Sequence, residues 1–154
     1  MLRFMSSNNE ILVQSEDIKK FIIKDFKVVS KRKPSAKQMK DLIFAFNVCR
    51  YVKSNAIVLV GNKSTLGIGS GQPSRLDSCQ IAINKMIKFD NTKNEIVAAS
   101  DAFFPFVDGI EKLVQSGITA VIQPSGSIRD KEIIDYANQT NTVLVFSKTR
   151  HFRH

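Results

Sequence analysis

Histidine, cysteine and long apolar runs are scarce in this sequence of 154 residues. His151 and His154 are the only histidines, so a histidine-based zinc site has few ligands available. Cys49 and Cys79 lie far apart without metal-motif spacing, and we expect two buried, reduced thiols. No apolar run approaches the roughly 20 residues that span a bilayer, and no signal-peptide core follows Met1. These absences predict a cytoplasmic protein with no membrane partner and no zinc.

Recognisable catalytic motifs are missing as well. Neither cysteine lies in a motif, no Ser-His-Asp set has a plausible nucleophile elbow, and no pair of carboxylates stands out. His151 and His154 are the candidate acid–base groups, with His154 the candidate catalytic residue, although terminal histidines are more often solvated and idle. The residues by themselves therefore predict binding chemistry and no particular reaction.

The charge balance favours anionic partners. The formal net charge is +9, and basic residues are concentrated in the first forty positions. Such a balance suits either nucleic acid or a phosphorylated metabolite, although scattered lysines can simply keep a protein soluble. The basic cluster Lys31-Arg32-Lys33 precedes Pro34, but it has no interleaved aromatic residues and is a weak nucleic-acid signal.

The hydrophobic periodicity predicts one α/β domain in which strands and helices alternate. Ser35 is a good N-cap for a helix over 36–52. The other predicted elements are strands over 56–60, 65–68, 95–99, 118–122 and 142–146, and helices over 73–88, 108–115 and 130–138. Short connections between them require right-handed crossovers and a mixed, mostly parallel sheet.

The first 34 residues are predicted to hold N-terminal strands and a basic linker, and residues 35–154 the main part of the same subdomain. Two short alternating segments, Glu10–Gln14 and Phe26–Val29, are expected to be strands, the second of them paired in a sheet.

The stretch Ser100–Phe106 carries three phenylalanines, one proline and one aspartate. Pro105 excludes the interior of a core strand, and a solvated loop would not expose three phenylalanines without a reason. We expect a stiff loop at the end of a strand. Its aromatic rings either plug the space under the next helix or line a pocket.

Each unusual loop follows a predicted strand directly. The four loops are Gly69–Arg75, Ser100–Asp108, Gln123–Ser127 and Ser147–Arg150. Because the carboxyl ends of parallel strands meet at one edge, where ligands bind in such sheets, the four loops predict a single composite site.

The side chains in these loops suit a phosphorylated nucleotide and a second planar ligand. Arg75 and Arg150 can each bind a phosphate or carboxylate with two hydrogen bonds, and Phe103 or Phe104 can stack on a heterocycle. The glycine-rich loops can present backbone N–H groups to an anion. Alternatively, the two arginines form weak surface ion pairs, Asn55 caps the preceding helix, and Asp101 caps its own turn.

Several long motifs closely resemble one known family. They are Lys53–Val58, Gly67–Arg75, Ser100–Phe106, Ile122–Asp130 and Arg150–His154. In this order they resemble the C-terminal part of the bifunctional purine biosynthesis proteins, in which AICAR formyltransferase (AICAR is 5-aminoimidazole-4-carboxamide ribonucleotide) is joined to IMP cyclohydrolase. The resemblance covers nearly the whole chain.

The resemblance implies a three-layer α/β/α fold of the cytidine deaminase type, as the second such subdomain of the formyltransferase. It implies transfer of a formyl group from 10-formyltetrahydrofolate, the co-substrate, to the 5-amino group of AICAR in de novo purine synthesis. The deaminase zinc motifs are absent here, in agreement with the family's lack of catalytic zinc.

The family's site residues carry over by motif. Those expected to contact AICAR are Asn55, Arg75, Phe103 and Arg150. Those expected to lie against the folate are Leu76, Asp108, Ser127 and Ile128. His154 is expected to help order the site, beside a potassium ion or other monovalent cation near Asp101.

Two departures limit what the resemblance implies. Val107 stands where the family usually has an arginine, and the Lys-His catalytic pair of the family has no counterpart in this sequence. We therefore expect a fragment or split half, inactive alone, whose partner is a second copy or the missing N-terminal half of the enzyme. The rival interpretations are a basic nucleic-acid-binding module and a protein-interaction module without catalysis.

Overall fold

A six-stranded mixed sheet forms the centre of the protein in the computed structural model, which describes residues 2–16, 23–89 and 95–154. The strands are β1 (Leu2–Ser7), β2 (Glu10–Ser15), β3 (Lys27–Val28), β4 (Ile57–Gly61), β5 (Ser64–Gly69), β6 (Ile96–Ser100), β7 (Ile118–Pro124) and β8 (Val143–Ser147). The helices are α1 (Ala36–Cys49), α2 (Arg75–Phe89), α3 (Val107–Gln115) and α4 (Asp130–Gln139), with a 3₁₀ turn at Ile23–Asp25.

The strand directions bring the predicted loops to one edge of the sheet. The order is β3-β8-β7-β6-β4-β5, in which β6, β7 and β8 are parallel and the other neighbours are antiparallel. Because β5 is antiparallel to β4, and β4 to β6, β5 ends at the same edge as β6, β7 and β8. The beginning of β4 lies at that edge too. The predicted α/β fold with a mixed sheet is confirmed.

Helices cover both faces of the sheet and give three layers. On one face α1 packs through Leu42 and Phe46 against strand residues such as Val58 and Val97. On the other face α2, α3 and α4 pack against a second apolar cluster. The central strands are buried on both faces, so they read as continuous apolar runs in the sequence.

Local chemistry explains why α1 begins where it does. Ser35 Oγ accepts a hydrogen bond from the Gln38 backbone N–H at 3.0 Å, and Gln38 Oε1 accepts one from the Ser35 N–H at 3.0 Å. This reciprocal capping box satisfies two backbone donors that a helix start otherwise leaves unpaired. The predicted cap is confirmed, while the helix ends at Cys49, three residues before the predicted end.

Two glycines of β5 allow α2 to lie directly on the sheet. A Cβ atom at Gly67 would be 2.0 Å from the Ala82 carbonyl oxygen, and one at Gly69 would be 1.8 Å from that of Ser78. Only glycine permits this approach of helix to strand, which fixes the position of the α2 N-terminus beside the sheet edge.

Both predicted N-terminal strands form, and they belong to two different sheets. β1 and β2 form a separate antiparallel hairpin, and β3 pairs with β8 at the margin of the main sheet. The tight turn at Asn8, whose φ is 49°, pairs β2 with the strand immediately before it, a strand that the sequence pattern did not predict. Met1 and residues 17–22 of the predicted N-terminal part lie outside the described residues.

The hairpin leaves apolar side chains in solvent on both of its faces. Phe4 and Ile11 are 65% and 69% exposed on one face, and Met5 and Leu12 are about half exposed on the other. None of the described helices combines the length and apolar composition that crossing a membrane requires.

Candidate functional site

A cavity of about 460 Å³ opens at the sheet edge where the predicted loops meet. Its lining residues are Asn55, Pro73, Ser74, Arg75, Leu76, Ala102, Phe103, Phe104, Pro105, Phe106, Asp108, Gly109, Arg150 and Phe152. The loops after β5, β6 and β8 and the starts of α2 and α3 therefore form one site. All four residues expected at the nucleotide, and Leu76 and Asp108 of those expected at the folate, line this cavity.

Ser127 and Ile128 do not line the cavity, but the residue after them, Arg129, contacts its rim. The Arg129 guanidinium carbon is 5.0 Å from the ring centre of Phe106, which does line the cavity. Ile128 itself is fully exposed. The loop after β7 therefore extends the site past Phe106 and forms no part of the cavity wall.

Arg75 and Asp101 form a buried ion pair at the base of the site. Arg75 Nη1 donates to Asp101 Oδ1 at 2.5 Å and to Ser100 Oγ at 2.9 Å, while Nη2 donates to Asn55 Oδ1 at 2.8 Å. The side chain of Arg75 is 8% exposed and that of Asp101 1%. Arg75 is thus neither a surface ion pair nor a free cation, because its charge is balanced inside the protein.

Asn55 connects the beginning of β4 with the beginning of α2. Its Nδ2 donates to the carbonyls of Gln72 and Pro73 at 2.9 and 3.0 Å, and its backbone carbonyl accepts from Ser78 Oγ at 2.8 Å. The peptide bond between Ser54 and Asn55 is cis. Asn55 therefore does not cap the preceding helix, and the free capacity of its side chain is one acceptor site on Oδ1.

The phenylalanines of the loop divide between the two roles that the sequence left open. Phe104 is 1% exposed and packs against α3 at Gly109, so it plugs the space under that helix. Phe103 is half-buried and lines the cavity, where its ring offers a stacking face. Phe106 is 52% exposed at the rim.

Arg150 and Asp108 are the charged side chains of the cavity that remain exposed. The Arg150 guanidinium carbon lies 5.5 Å from the ring centre of Phe152. Asp108 Oδ1 accepts a hydrogen bond from the Gly109 N–H at 2.7 Å. A cationic and an anionic group thus face the opening, which suits an anionic ligand group and a ligand with amino donors.

The C-terminal residues are fixed to the site by backbone contacts. The Ser54 N–H donates to the Arg153 carbonyl at 2.9 Å, and the Arg153 N–H donates to Ser54 Oγ at 3.2 Å. The His154 N–H donates to Gln14 Oε1 at 3.2 Å, and the His154 ring stacks on Phe152 with 6.0 Å between ring centres. His154 therefore packs beside a residue of the cavity without lining it.

The predicted backbone anion cradles already have acceptors in the chain. The N–H groups of Gly126 and Ser127 donate to the carboxylate of Asp130 at 2.8 and 3.2 Å. The Gly71 N–H donates to the Lys53 carbonyl at 3.0 Å. The expectation that these glycine loops present free N–H groups to a ligand is wrong at these three positions.

Sequence reasoning missed the polar residues behind the cavity that form hydrogen bonds with Arg75, Asp101 and Phe104. Ser54 and Ser100 lie within two of the motifs that resemble the family, but neither residue type nor spacing gives them a role, and Gln123 is only the first residue of a predicted loop. Gln123 is fully buried and its Oε1 accepts from the Phe104 N–H at 3.4 Å, while its Nε2 has no hydrogen-bond partner among the described residues. A polar residue at the end of an apolar strand run is the signal that could have identified Gln123.

The two cysteines are buried free thiols. Burial raises the pKa of the Cys49 thiol well above its usual range and raises the pKa of Cys79 to about 12. Both thiols are therefore protonated at neutral pH and cannot act as nucleophiles.

The described residues hold no cluster of three or more His, Cys, Asp or Glu side chains that could bind a metal ion. Around Asp101, Oδ1 accepts from Arg75 and Oδ2 accepts from Ser54 Oγ. A guanidinium thus lies against one oxygen of the carboxylate near which the monovalent cation is expected, and that cation stays a prediction.

Comparison with known proteins gives matches over nearly the whole chain. Residues 1–85 match the family model of the AICARFT/IMPCHase bienzyme. The chain is 51% identical over 149 residues to the bifunctional purine biosynthesis protein PurH of Caldicellulosiruptor saccharolyticus, covering 97% of this chain and 28% of that protein. It is 46% identical over 151 residues to PurH of Chlorobium chlorochromatii, covering 98% of this chain and 29% of that protein. The chain thus spans less than a third of these relatives.

Among solved structures, the dCMP deaminase of cyanophage S-TIM5 in its apo form is similar to this chain with a TM-score of 0.44 and 20% sequence identity. The match covers 73% of this chain and 97% of the deaminase.

Proposed function

This chain belongs to the AICARFT/IMPCHase bienzyme family, a family of purine biosynthesis, and we propose that it is the nucleotide-recognising part of an AICAR formyltransferase. The observation that carries the proposal is the meeting of Asn55, Arg75, Phe103 and Arg150 in one cavity. These residues come from four separate stretches of the chain, and together they offer what a phosphorylated imidazole carboxamide requires.

Each of the four residues has a defined part in the proposed AICAR site. Phe103 stacks on the imidazole ring, and Arg150, the exposed cation, binds the phosphate with two hydrogen bonds. Arg75 has Nε–H and one Nη2 hydrogen without an acceptor among the described residues, so it can still donate to the carboxamide oxygen. The free acceptor site on Asn55 Oδ1 receives an amino hydrogen.

The folate is proposed to bind on the other side of Phe103. Leu76 and Asp108 line that part of the cavity, where Asp108 can accept hydrogen bonds from an amino-substituted pterin. Ser127 and Ile128 then lie beyond Phe106, along an extended ligand that leaves the cavity. Val107, which is half-buried at the start of α3, supplies an apolar contact where the family usually has an arginine.

The chain supplies binding and orientation, and it does not supply the proton transfers of the reaction. The charged residues that line the cavity are Arg75, Arg150 and Asp108, and all three are assigned to ligand binding. The Lys-His pair of the family is absent from these 154 residues, and so from a second copy of them, and must be supplied by a different polypeptide segment. Mixed with AICAR and 10-formyltetrahydrofolate, this chain is expected to give no turnover. Measurable formylation would contradict that expectation.

Potassium, the absence of zinc, the dimer and the cytoplasmic location stay predictions. No step proposed above depends on a cation. Sedimentation velocity of the chain tests whether it is a dimer, with a concentration-independent monomer as the contrary result.

Isothermal titration calorimetry with AICAR tests the proposed recognition directly. We expect Phe103→Ala to weaken binding about tenfold or more, since stacking of a base on an aromatic ring contributes about 1–3 kcal/mol. Phe89→Ala is the matched control, because Phe89 is 74% exposed at the end of α2 and away from the cavity. Failure of AICAR to bind at millimolar concentration, or equal affinities for the two variants, would contradict the proposal.

The nucleic-acid alternative is separated by the same titrations. Arg32 of the basic cluster donates to the Asn141 carbonyl at 2.9 Å, so part of that cluster is used inside the fold. Binding of RNA or DNA that weakens steeply with salt, together with indifference to AICAR, would favour the alternative.

A further inference from the structure

We propose that Asp101 is a positioning residue. It holds Arg75, the first wall of the cavity, and the chain from Arg150 to Arg153, the second wall, at a fixed separation. Its carboxylate is 1% exposed and does not line the cavity. It nevertheless contacts the groups that carry both walls. The identity of the ligand rests on the proposed function, whereas the positioning itself rests on contacts that exist without any ligand.

The first wall depends on the charge of Asp101. Arg75 Nη1 donates to Asp101 Oδ1 at 2.5 Å, and the same nitrogen donates to Ser100 Oγ. Without the carboxylate, a guanidinium that is 8% exposed would lose its counterion. A buried cation in that situation moves toward solvent or another anion, because an uncompensated charge in the interior is strongly unfavourable. Asp101 therefore sets where the free N–H groups of Arg75 point.

The second wall depends on the Oδ2 atom and on the backbone carbonyl of Asp101. Ser54 Oγ–H donates to Asp101 Oδ2, and Ser54 is bonded in both directions to the backbone of Arg153. The His151 N–H donates to the Asp101 carbonyl at 3.0 Å. The chain that follows Arg150 is thus fixed on Asp101 and Ser54, and Arg150 itself keeps an exposed side chain on a fixed backbone.

The same contacts divide the charge of the cavity between two arginines with different tasks. The Asp101–Arg75 pair is neutral as a unit, so Arg75 offers directed hydrogen bonds without net charge. Arg150 keeps its positive charge for an anion. Replacing Asp101 by Asn preserves the shape of the side chain, removes the counterion of Arg75, and places an N–H₂ donor opposite either Arg75 or Ser54, so the contacts to one wall must rearrange.

Asp41 provides a matched control for this substitution. It is also buried, at 2% exposure, and its oxygens accept from the N–H groups of Asn62 and Lys63 at 3.1 and 2.8 Å. These residues form the β4–β5 turn, which lies at the opposite edge of the sheet from the cavity. Asp41→Asn therefore removes a buried carboxylate of similar surroundings without touching either wall.

The test combines calorimetry and NMR on the full 154-residue chain, wild type, D101N and D41N, at a temperature where all three are folded. We expect D101N to weaken AICAR binding at least tenfold and D41N to change it less than twofold. We also expect slowly exchanging Arg75 Nη–H signals, and a protected Arg153 amide, in wild type and D41N and their loss in D101N. Unchanged Arg75 signals and Arg153 protection in D101N would overturn the proposal.

Two further outcomes keep this test separate from that of the proposed function. If wild type does not bind AICAR, the proposed function fails, while the NMR comparison still supports or overturns the positioning role. If D101N does not fold, Asp101→Ser takes its place, because it also removes the carboxylate and leaves the direct contacts between Ser54 and Arg153 in place. Loss of the Arg75 Nη–H signals would then support the proposal, and unchanged signals would overturn it.

Discussion

The ring of Phe104 lies so close to Gly109 that a Cβ atom at position 109 would stand 2.5 Å from a ring carbon. Phe104 is buried in the apolar cluster on the α2–α4 face of the sheet, and Gly109 lies in the first turns of α3. The absence of a side chain at Gly109 thus allows the helix to sit on the Phe104 plug, with Phe103 directed to the cavity.

We expect Gly109→Ala to lower the free energy of unfolding by about 1–3 kcal/mol, because the extra methyl group overpacks a filled site. Urea denaturation measures this loss. Phe104→Leu replaces the ring by a smaller side chain and should relieve the overlap. The double variant Gly109→Ala, Phe104→Leu should therefore lose less free energy of unfolding than the two single variants lose together. Simple additivity of the two losses would show that the methyl group and the ring do not collide.

The buried pair of Arg75 and Asp101 makes a second prediction about stability. Arg75→Met fills a similar volume but leaves the carboxylate of Asp101, which is 1% exposed, without its counterion. Breaking a buried ion pair in this way typically costs about 3–5 kcal/mol, and we expect a loss of that size in urea denaturation. Arg75→Met combined with Asp101→Asn should recover part of it. A double variant no more stable than Arg75→Met alone would contradict the charge argument.

The buried thiols predict a loss of stability at high pH. Burial raises the pKa of Cys79 from about 9 to about 12, so between these values the thiol is ionised in the unfolded chain and protonated in the folded one. The unfolded state then binds fewer protons, and the free energy of unfolding falls by about 1.4 kcal/mol per pH unit for this thiol. Below the unfolded value the thiol makes no pH-dependent contribution.

Urea denaturation at several pH values between 9.5 and 11 measures this slope. In Cys79→Ala the slope should be less negative by about 1.4 kcal/mol per pH unit, whatever the other titrating groups contribute, because they are common to both proteins. Equal slopes in the two proteins would mean that Cys79 is not kept protonated by the fold.

How much of this protein could be predicted depended on the range of the interactions. The start of α1 was predictable because Ser35 and Gln38 are three residues apart and form a local capping box. The meeting of Arg75 and Arg150 was predictable because the order of strands and helices decides which loops share an edge. The pairing of β2 was not predictable, since the segments before and after it, β1 and β3, could each supply a plausible partner strand.

The supporting contacts of the site could not be predicted from the sequence. Asp101 meets Arg75 across 26 positions, and Ser54 meets Arg153 across 99. Nothing in residue type or spacing indicates such pairs, because a serine or an aspartate in a loop has many alternative partners. The position of Ser127 and Ile128 outside the cavity wall depends likewise on how far the loop after β7 projects.

The exposed charge of Arg150 gives the sharpest test of which ligand group this cavity recognises. Calorimetric titrations compare AICAR with the corresponding nucleoside, which lacks the phosphate, for wild type and Arg150→Gln. If Arg150 binds the phosphate, the preference for nucleotide over nucleoside should shrink about tenfold or more in the variant, while the nucleoside affinity stays nearly constant. A charge-assisted hydrogen bond of this kind contributes about 1.5–3 kcal/mol.

Lys148→Gln is the matched control for the loss of one positive charge. Lys148 lies two residues before Arg150, is 77% exposed, and pairs with Asp25 at 3.6 Å instead of facing the cavity. A general electrostatic attraction would be weakened similarly by either substitution, because the two charges lie in the same part of the chain. A specific phosphate contact would be weakened only by Arg150→Gln, so equal effects of the two variants would exclude Arg150 as the phosphate ligand.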